Sequence, residues 1–449
     1  MNPGTADELR RLAESLVESG RAAGADEVEV SVGDSSEFNV DVRLGKIENL
    51  VEAGSRQAGL RIIKDKKTAF ASSSDLSRET LRDLVVRAVE RAGLATADPC
   101  AGLPPLTRTE FDVARLRLFD PEVPEIDPAA KVKLAMETER VALADKRITN
   151  SYGASFATSV ATGVLANSNG FLQGYDETHC SLSVNLQAGR TGAAVEDFWF
   201  SSGVRFKDLA SPEEVARRAV ERTVRQLHPR KIKTQSVPVV FEPLMTSWLM
   251  GFLFSCVSGV SVYQKTTFLA DKLGRRIGNE RLTVIDDGLL PGRPGTRPFD
   301  SEGVPCGRTT IVEAGILKNF LCNTYAGRKL DLPATGNGEG TGVSPNNFFL
   351  EPGTLTPEEI IASMDRGLVL IKTIGHGLNP TNGDISRGAF GLWVENGVIA
   401  YPVSEITIAG NLGRILMDIE MVGNDPELQT PVNGPTIKVR EMTVAGTGA

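Results

Sequence analysis

The first hundred residues change from a helical to an extended pattern of apolar positions and back again. Residues 6–23 repeat apolar side chains at helical spacing, which predicts an amphipathic helix. A second predicted helix begins at Ser77, a good N-cap residue, and runs to Ala92. Between the helices, apolar and polar residues alternate, which predicts strands. These strands are expected at 26–32, 38–44, 47–53 and 58–73.

The same plan recurs after a proline-rich stretch. Asp127 precedes another helical pattern, alternating segments follow it, and Ser211 begins a further capped helix. The closing helices have similar sequences, LRDLVVRAVERA at 81–92 and PEEVARRAVERT at 212–223, so we infer two related units of helix, sheet and helix. The predicted divisions are a first unit at 1–97, a linker at 98–126, a second unit at 127–235 and a C-terminal domain at 236–449.

The C-terminal part is rich in Gly, Pro and β-branched residues, and beyond residue 265 its one candidate helix starts at Thr356. Short alternating or continuous apolar runs predict strands at 281–287, 307–315, 316–323, 368–375, 389–403, 405–410 and 436–446. The expected fold class is therefore α+β. Two N-terminal units of helices on antiparallel sheet, arranged in two layers, precede a mainly β C-terminal domain.

Residues 243–264 carry no formal charge and are largely apolar. About twenty apolar residues can cross a bilayer, but several serines and threonines dilute this segment. Gly251 and Gly259 also interrupt it, and Pro243 is typical of a helix start. No second span or basic flank supports insertion. We therefore predict no membrane association, and a helix at about 246–257 that is buried on most sides.

The overall charge disfavours polyanionic partners. Lys and Arg number 49 against 57 Asp and Glu, which gives a net charge of -8, so nucleic acid is not an expected partner. The N-terminal sequence has charged residues where a signal peptide needs an apolar run, so we expect a cytoplasmic protein. Five scattered cysteines without a CxxC pair argue against a disulfide framework or a cysteine-based structural zinc site.

The sequence contains no motif that by itself identifies an enzyme. Hydrolytic zinc sites place two histidines on one helix with a glutamate between them, but His179, His228 and His376 lie far apart. A G-x-S-x-G elbow and a G-x-x-x-x-G-K-[ST] phosphate loop are both missing. The glycine-rich residues 335–342 lack a following lysine and predict a flexible loop. Cys256 has no nearby histidine in sequence and is best explained by packing.

Several longer motifs resemble the TldD/PmbA family, in particular its PmbA branch, which is also called TldE. The resemblance spans essentially the whole chain, including GKIENL near the N-terminus. It implies a two-layer N-terminal region and a mainly β C-terminal domain. It also implies a TldD/TldE heterodimer that acts as a cytoplasmic metallopeptidase on unfolded or modified peptides. The motifs lie at 259–274 (GVSVYQKTTFLADKLG), 298–304 (PFDSEGV), 325–330 (YAGRKL), 383–412 and 422–425 (VGND).

The family's metal ligands do not carry over to this chain. In the TldD branch the uncharged helix holds a His-Glu-x-x-x-His motif, and those three positions correspond to Gly251, Phe252 and Cys256 here. Glycine offers no ligand atom and phenylalanine cannot act as a base. The later cysteine of the TldD branch also has no counterpart after 422–429. The resemblance thus implies no catalytic residue, metal or other cofactor in this chain, and zinc in a TldD-like partner subunit.

Seven polar residues in the C-terminal motifs lie in glycine-flanked turns, where side chains at strand ends can converge. One interpretation is structural, as salt bridges and turn caps. The functional hypothesis is that they line a cleft shared with the partner and hold an extended peptide, because sheet edges accept peptides as added strands. These residues are Asp300, Glu302, Arg328, Lys329, Asp384, Ser386 and Arg387.

Three functions remain compatible with the sequence. The first is the non-catalytic subunit of a TldD/TldE-type metallopeptidase, which supplies interface and peptide-binding surface. The second is a self-sufficient hydrolase with an unrecognised nucleophile or a metal recruited through Cys256 or His376. The third is a homodimeric peptide-binding or regulatory module without chemistry, and a homodimer is also conceivable whenever the TldD-like partner is absent.

Overall fold

The N-terminal region forms one antiparallel sheet with helices on one face. The computed structural model describes residues 3–107, 111–190 and 193–448, so 108–110 of the predicted linker lie outside the described residues. The helices are α1 (Pro3–Ala22), α2 (Arg78–Leu94), α3 (Val113–Leu116), α4 (Pro128–Leu143) and α5 (Pro212–Val224). The strands are β1 (Glu27–Arg43), β2 (Lys46–Lys64), β3 (Lys67–Ser73), β4 (Ile148–Asn167), β5 (Leu172–Ala188) and β6 (Val195–Gly203).

The two predicted units share this sheet, whose strand order is β3-β2-β1-β4-β5-β6. They meet where β1 pairs antiparallel with β4. Because side chains alternate along a strand, Val28, Val30 and Val32 pack with residues of α1 and α2, while Glu29 and Ser31 project from the opposite face. The face without helices is therefore polar and turns toward the C-terminal domain.

The C-terminal domain consists of three sheets and short helices. Its helices are α6 (Pro243–Val257), α7 (Gly259–Tyr263), α8 (Thr324–Leu330), α9 (Pro357–Ala362) and α10 (Leu412–Met417). Its strands are β7 (Lys233–Phe241), β8 (Val284–Asp287), β9 (Arg308–Glu313), β10 (Ile316–Leu317), β11 (Gly338–Glu339), β12 (Gly342–Val343), β13 (Phe348–Leu350), β14 (Arg366–Ile374), β15 (Asp384–Glu395), β16 (Val398–Asn411), β17 (Ile419–Val422), β18 (Val432–Asn433) and β19 (Ile437–Thr447).

A small barrel organises this domain. The largest C-terminal sheet has the order β16-β15-β14-β7-β19-β17, and β16 also pairs with β19, so five strands close on themselves. Closure removes the free edges that those strands would otherwise expose. On β7, Val239 and Phe241 belong to the large core around α6, whereas Val240 packs with Ile360 of α9. The predicted α+β fold class, with a mainly β C-terminal domain, is confirmed.

The uncharged segment forms α6 and α7 with a break at Ser258. Helix α6 starts three residues earlier than predicted, because Pro243 is well suited to the first helical turn. Leu249, Leu253 and Cys256 are fully buried. Leu244, Ser247, Trp248, Gly251 and Ser255 form a half-exposed stripe at helical spacing. Within the described ranges, no helix combines the length and the apolarity needed to cross a bilayer.

The sequence did not reveal α8 and α10, since helices of seven and six residues are too short to show a helical period. At Thr356 the predicted helix is present with a complete capping box to Glu359. The division into 1–97, 98–126, 127–235 and 236–449 stays a prediction.

The burial pattern of α6 predicts unequal costs for two leucine truncations. Leu253→Ala removes a side chain with no exposed surface and should lower the free energy of unfolding by about 2–5 kcal/mol. Leu244→Ala, on the half-exposed stripe of the same helix, is the matched control and should cost less than about 1.5 kcal/mol. Urea unfolding followed by circular dichroism measures both. Equal losses would contradict the packing described here.

Candidate functional site

The three positions that correspond to the family's metal motif offer no metal site. Gly251 lies on the half-exposed stripe of α6, and a Cβ added there would meet nothing within 4 Å. Phe252 is 3% exposed and belongs to the core. Cys256 is fully buried, and burial raises the pKa of its thiol to about 11, which disfavours the thiolate that metal binding needs. The metal that the family implies therefore does not fit these residues.

The histidines do not assemble a site either. His179 lies on β5 opposite Ser159, His228 follows α5 with a positive φ of 59°, and His376 is exposed between β14 and β15. Across residues 3–107, 111–190 and 193–448, no three His, Cys, Asp or Glu side chains come together in a way that could hold a metal ion.

A pair of arginines anchors the start of α6. Glu242, the residue before the helix, accepts hydrogen bonds from Arg225 at 2.6 and 2.7 Å and from Arg222 at 3.3 Å. Arg222 also pairs with Asp197 at 3.2 Å. The two arginines outweigh burial and lower the pKa of Glu242. Through these contacts α5 of the N-terminal region holds the position of α6.

Asp300 and Glu302 meet the polar face of the N-terminal sheet. Arg61 on β2 donates to Glu302 at 2.8 Å and to the Gly102 carbonyl at 3.3 Å. Glu302 also accepts the Thr324 amide at 2.7 Å, at the start of α8. Arg61 and Glu302 are 8% and 1% exposed, so this ion pair is shielded from solvent. It joins residues that are 241 positions apart in the chain.

Two further buried carboxylates belong to this junction. Glu29 on β1 lies 3.7 Å from Arg61, and its Oε2 is buried without a hydrogen-bond partner among the described residues. Asp300 accepts three backbone N–H groups, those of Glu302, Val304 and Gly338. Arg61 thus pairs with two carboxylates, those of Glu29 and Glu302, whereas Asp300 is held by backbone amides. Burial, followed by repulsion among the acids, raises the pKa of Glu29 and of Asp300 to about 7.

Arg328 and Lys329 of the C-terminal domain hold residues 98–103, which lie between α2 and α3. The Arg328 guanidinium donates to the carbonyls of Cys100, Gly102 and Leu103. Lys329 pairs with Asp98 at 2.8 Å, and the Tyr325 hydroxyl donates to the same carboxylate at 2.6 Å. The lysine and tyrosine hydrogen bonds lower the pKa of Asp98 to about 2.

A cavity of about 850 Å³ opens next to this junction. We call it the interdomain cleft. Its floor is the polar face of the N-terminal sheet, and its opposite wall comes from residues 297–301 and 339–340. The residues that line the cleft include Glu29, Gly33, Asp34, Arg61, Gly163, Tyr175, Glu177, Arg297, Phe299, Asp300 and Glu339.

The remaining candidates lie elsewhere, on β15. Asp384 accepts the side-chain amides of Asn382 and Asn411 at 2.7 and 3.0 Å. Ser386 is exposed. The Arg387 guanidinium lies 5.0 Å from the centre of the Trp248 ring on α6, and its Nε is buried without a partner in the described part of the chain. Arg387 therefore borders the half-exposed stripe of α6.

The seven predicted site residues thus form two groups. Four meet at the interdomain junction and three lie on β15, and no hydrogen bond or ion pair in the described ranges joins the groups. The sequence reasoning missed Glu29 and Arg61. A charged residue within an apolar run, as in LRII at 60–63, was the available signal, because such a charge needs a buried partner.

Profiles of three consecutive domains described as PmbA/TldA metallopeptidase match the chain, domain 1 at 28–92, the central domain at 121–227 and the C-terminal domain at 234–446. The chain is 39% identical to Metalloprotease PmbA of Escherichia coli over 430 residues, which cover 95% of this chain and 93% of that protein. It is 35% identical to the Metalloprotease PmbA homolog of Haemophilus influenzae, with 98% and 96% covered. The crystal structure of TldE from Thermococcus kodakarensis has the same fold, with a TM-score of 0.87 at 24% identity and 97% and 100% covered.

The raised pKa of Glu29 predicts an unusual pH dependence of stability. Its folded pKa is about 7 against an ordinary 4.5, so its protonation stabilises the fold fully below pH 4.5, and this contribution is lost as pH rises to 7. Glu29→Gln removes the titration. Relative to the wild type, the variant should gain up to about 3 kcal/mol of unfolding free energy between about pH 4.5 and 8.

Urea unfolding at a series of pH values measures this change. Glu358→Gln replaces an exposed glutamate on α9 and serves as the control, whose stability should run parallel to the wild type across the series. A parallel curve for Glu29→Gln as well would show that Glu29 is not the titrating group.

Proposed function

Since this chain belongs to the PmbA/TldD family of metallopeptidases, we propose that it is the TldE-type, non-catalytic subunit of a cytoplasmic metallopeptidase. In this proposal a TldD-like partner holds the zinc and performs hydrolysis. The present chain supplies interface and peptide-binding surface for unfolded or modified peptides.

The main support for this proposal is the composition of α6. Gly251 has no donor atom, Phe252 is packed in the core, and Cys256 is a buried thiol whose pKa is raised to about 11. A metallopeptidase needs at least three ligands and a position open to water. A chain of this family without those groups is best explained as the partner of one that has them.

A free strand edge supports an assembly role. Only residues 58–64 of β2 pair with β3, so among the described residues the stretch 46–57 has a neighbouring strand on one side alone, namely β1. All twelve are exposed, among them Ile47, Leu50 and Val51. Long exposed edges with apolar side chains are usually covered by another chain. We propose that the TldD-like subunit covers this edge.

Arg387 is the strongest peptide-binding candidate of the seven. Asp300, Glu302, Arg328 and Lys329 are engaged by partners within the chain, as described above. Arg387 instead stacks on Trp248 beside the open position at Gly251, with no carboxylate partner in the described residues. A guanidinium in this setting can bind a peptide carboxylate or carbonyl. Asp384 and Ser386 project from the opposite face of β15, because side chains alternate along a strand, so they do not line the same surface as Arg387.

The cytoplasmic location is compatible with the state of the cysteines. Cys100, Cys180, Cys256, Cys306 and Cys322 are all free thiols. Free thiols, most of them buried, are typical of proteins that fold in a reducing compartment.

Metal analysis and peptidase assays test whether zinc binding and hydrolysis belong to the TldD-like subunit and not to this chain. We expect the purified chain to contain no stoichiometric zinc and to hydrolyse no peptide, because α6 lacks ligands. Mixing with a TldD-like subunit should give a complex in size-exclusion chromatography, one equivalent of zinc and hydrolysis of an unfolded peptide. Zinc-dependent hydrolysis by the pure chain would falsify the proposal. A stable homodimer that ignores the TldD-like subunit would favour the regulatory alternative.

The role of Arg387 can be tested in the same complex. Arg387→Ala should lower kcat/KM for peptide hydrolysis about tenfold, the loss of one charge-assisted hydrogen bond, while complex formation is retained. Arg387→Lys should recover part of the loss. Arg414→Ala removes an exposed arginine of α10 and is the matched control. Unchanged turnover in Arg387→Ala would remove this residue from the peptide site.

A further inference from the structure

The interdomain cleft has an excess of negative charge. Its lining includes five acids, Glu29, Asp34, Glu177, Asp300 and Glu339, but two arginines, Arg61 and Arg297. Arg61 is engaged by Glu302, Arg297 lies 3.2 Å from Glu339, and Arg56, which is not part of the lining, pairs with Asp34 at 2.8 Å. A concave site lined by one sign of charge concentrates ligands of the opposite sign. The cleft therefore favours a cation.

Glu29 is the residue of the cleft that is best placed to bind a cation. It is 8% exposed, lines the cleft, and projects from the helix-free face of β1. Its Oε1 faces Arg61, whereas its Oε2 has no partner in the described chain. Buried carboxylate oxygens are nearly always hydrogen-bonded, so this one indicates a missing donor. About one-tenth of the side chain stays exposed to the cleft, while Oε2 itself is buried.

The cleft also has room for the apolar stem of an organic cation. Gly33 and Gly163 are paired across β1 and β4 on the floor, and a Cβ built on Gly163 would meet nothing within 4 Å. Tyr175 and Phe299 form an aromatic wall, with ring centres 5.4 Å apart. Aromatic rings attract cations and cover methylene groups.

A divalent metal ion fits this cleft less well. Such ions require several converging oxygen or nitrogen ligands. No group of three suitable side chains exists in the described ranges, and both oxygens of Asp300 are already bonded to backbone amides. An ammonium or guanidinium group needs only one carboxylate and an apolar surface.

We propose that the interdomain cleft is a subsite for the basic side chain of a peptide, with Glu29 as the carboxylate that receives its ammonium or guanidinium group. The identification of the ligand as a peptide rests on the function proposed above. The cleft itself belongs wholly to this chain, so binding can be measured without the partner subunit.

Isothermal titration of the chain with two blocked peptides tests the subsite. The probes are acetyl-Gly-Arg-Gly-amide and the same peptide with citrulline in place of arginine, which keeps the shape and removes the charge. We expect the arginine peptide to bind at least about tenfold more tightly, the worth of one charge-assisted hydrogen bond. Equal affinity for the two peptides, or no binding of either, would overturn the proposal.

Two cleft variants and one control locate the binding. Glu29→Gln should abolish the preference for arginine over citrulline. Gly163→Leu fills the floor at a position free of backbone strain and should weaken binding of both peptides, with its melting temperature confirming the fold. Glu358→Gln, outside the cleft, should bind as the wild type does. An arginine preference that survives both cleft variants would place the ligand elsewhere and overturn the proposal.

The pH dependence of the preference for the arginine peptide provides an independent test. Glu29 is faced by Arg61 from β2 and by Glu302 and Asp300 from the C-terminal domain, and Arg297 and Cys306 lie near Asp300. Because the pKa of Glu29 and of Asp300 is raised to about 7, the arginine preference should be stronger at about pH 8 than at about pH 6. A preference that does not change with pH would contradict Glu29 as the receptor.

These tests separate the two proposals. Arginine-selective binding by a chain that forms no active complex with a TldD-like subunit would support the subsite and reject the assembly. An active complex whose chain shows no preference for arginine would support the assembly and reject the subsite.

Discussion

The ion pair between Arg61 and Glu302 is the contact on which the relation between the two halves of the molecule depends. The helix-free face of the N-terminal sheet is mostly polar, and only a small apolar cluster with Leu165, Phe171 and Phe299 joins it to the C-terminal domain. The two halves are also joined by charged groups, with Arg61 bound to both Glu302 and Gly102. Breaking one partner of such a buried pair leaves an uncompensated charge, which is far more costly than losing a surface pair.

The same constraint explains the nearby cleft. An interface built from charges and strand residues of unequal size packs less closely than an apolar core. The interdomain cleft lies at this interface, and Glu29, Asp300 and Arg61 are among the residues that line it. Arg328 and Lys329 hold residues 98–103, which lie between α2 and α3, against the C-terminal domain. The buried acids thus have two roles, because they take part in the contacts between the halves and also give the cleft its negative electrostatic potential.

Helix α6, in contrast, is held mainly by apolar packing. Its three positions equivalent to the TldD metal motif carry no functional group that must face water, so most of the helix can be packed as core. Only the stripe through Trp248 and Gly251 stays partly open, and there Arg387 takes a position against the aromatic ring. The helix is positioned by Glu242 and its two arginines rather than by a metal. A scaffold of this family can therefore keep this helix packed as core without a metal to hold it.

The sequence by itself determined the fold class and the family, because these follow from local periodicity and from motifs spread along the chain. The prediction that seven polar residues lie in turns was wrong for five of them, since Arg328 and Lys329 lie in α8 and Asp384, Ser386 and Arg387 lie on β15. The sequence also could not show that four of the seven meet at the interdomain junction while Arg387 lies against Trp248. Glu29, Arg61 and Glu302 come together only in the tertiary structure. Side chains so far apart in the chain are brought into contact by sheet register and domain packing, and neither leaves a local signal in the sequence.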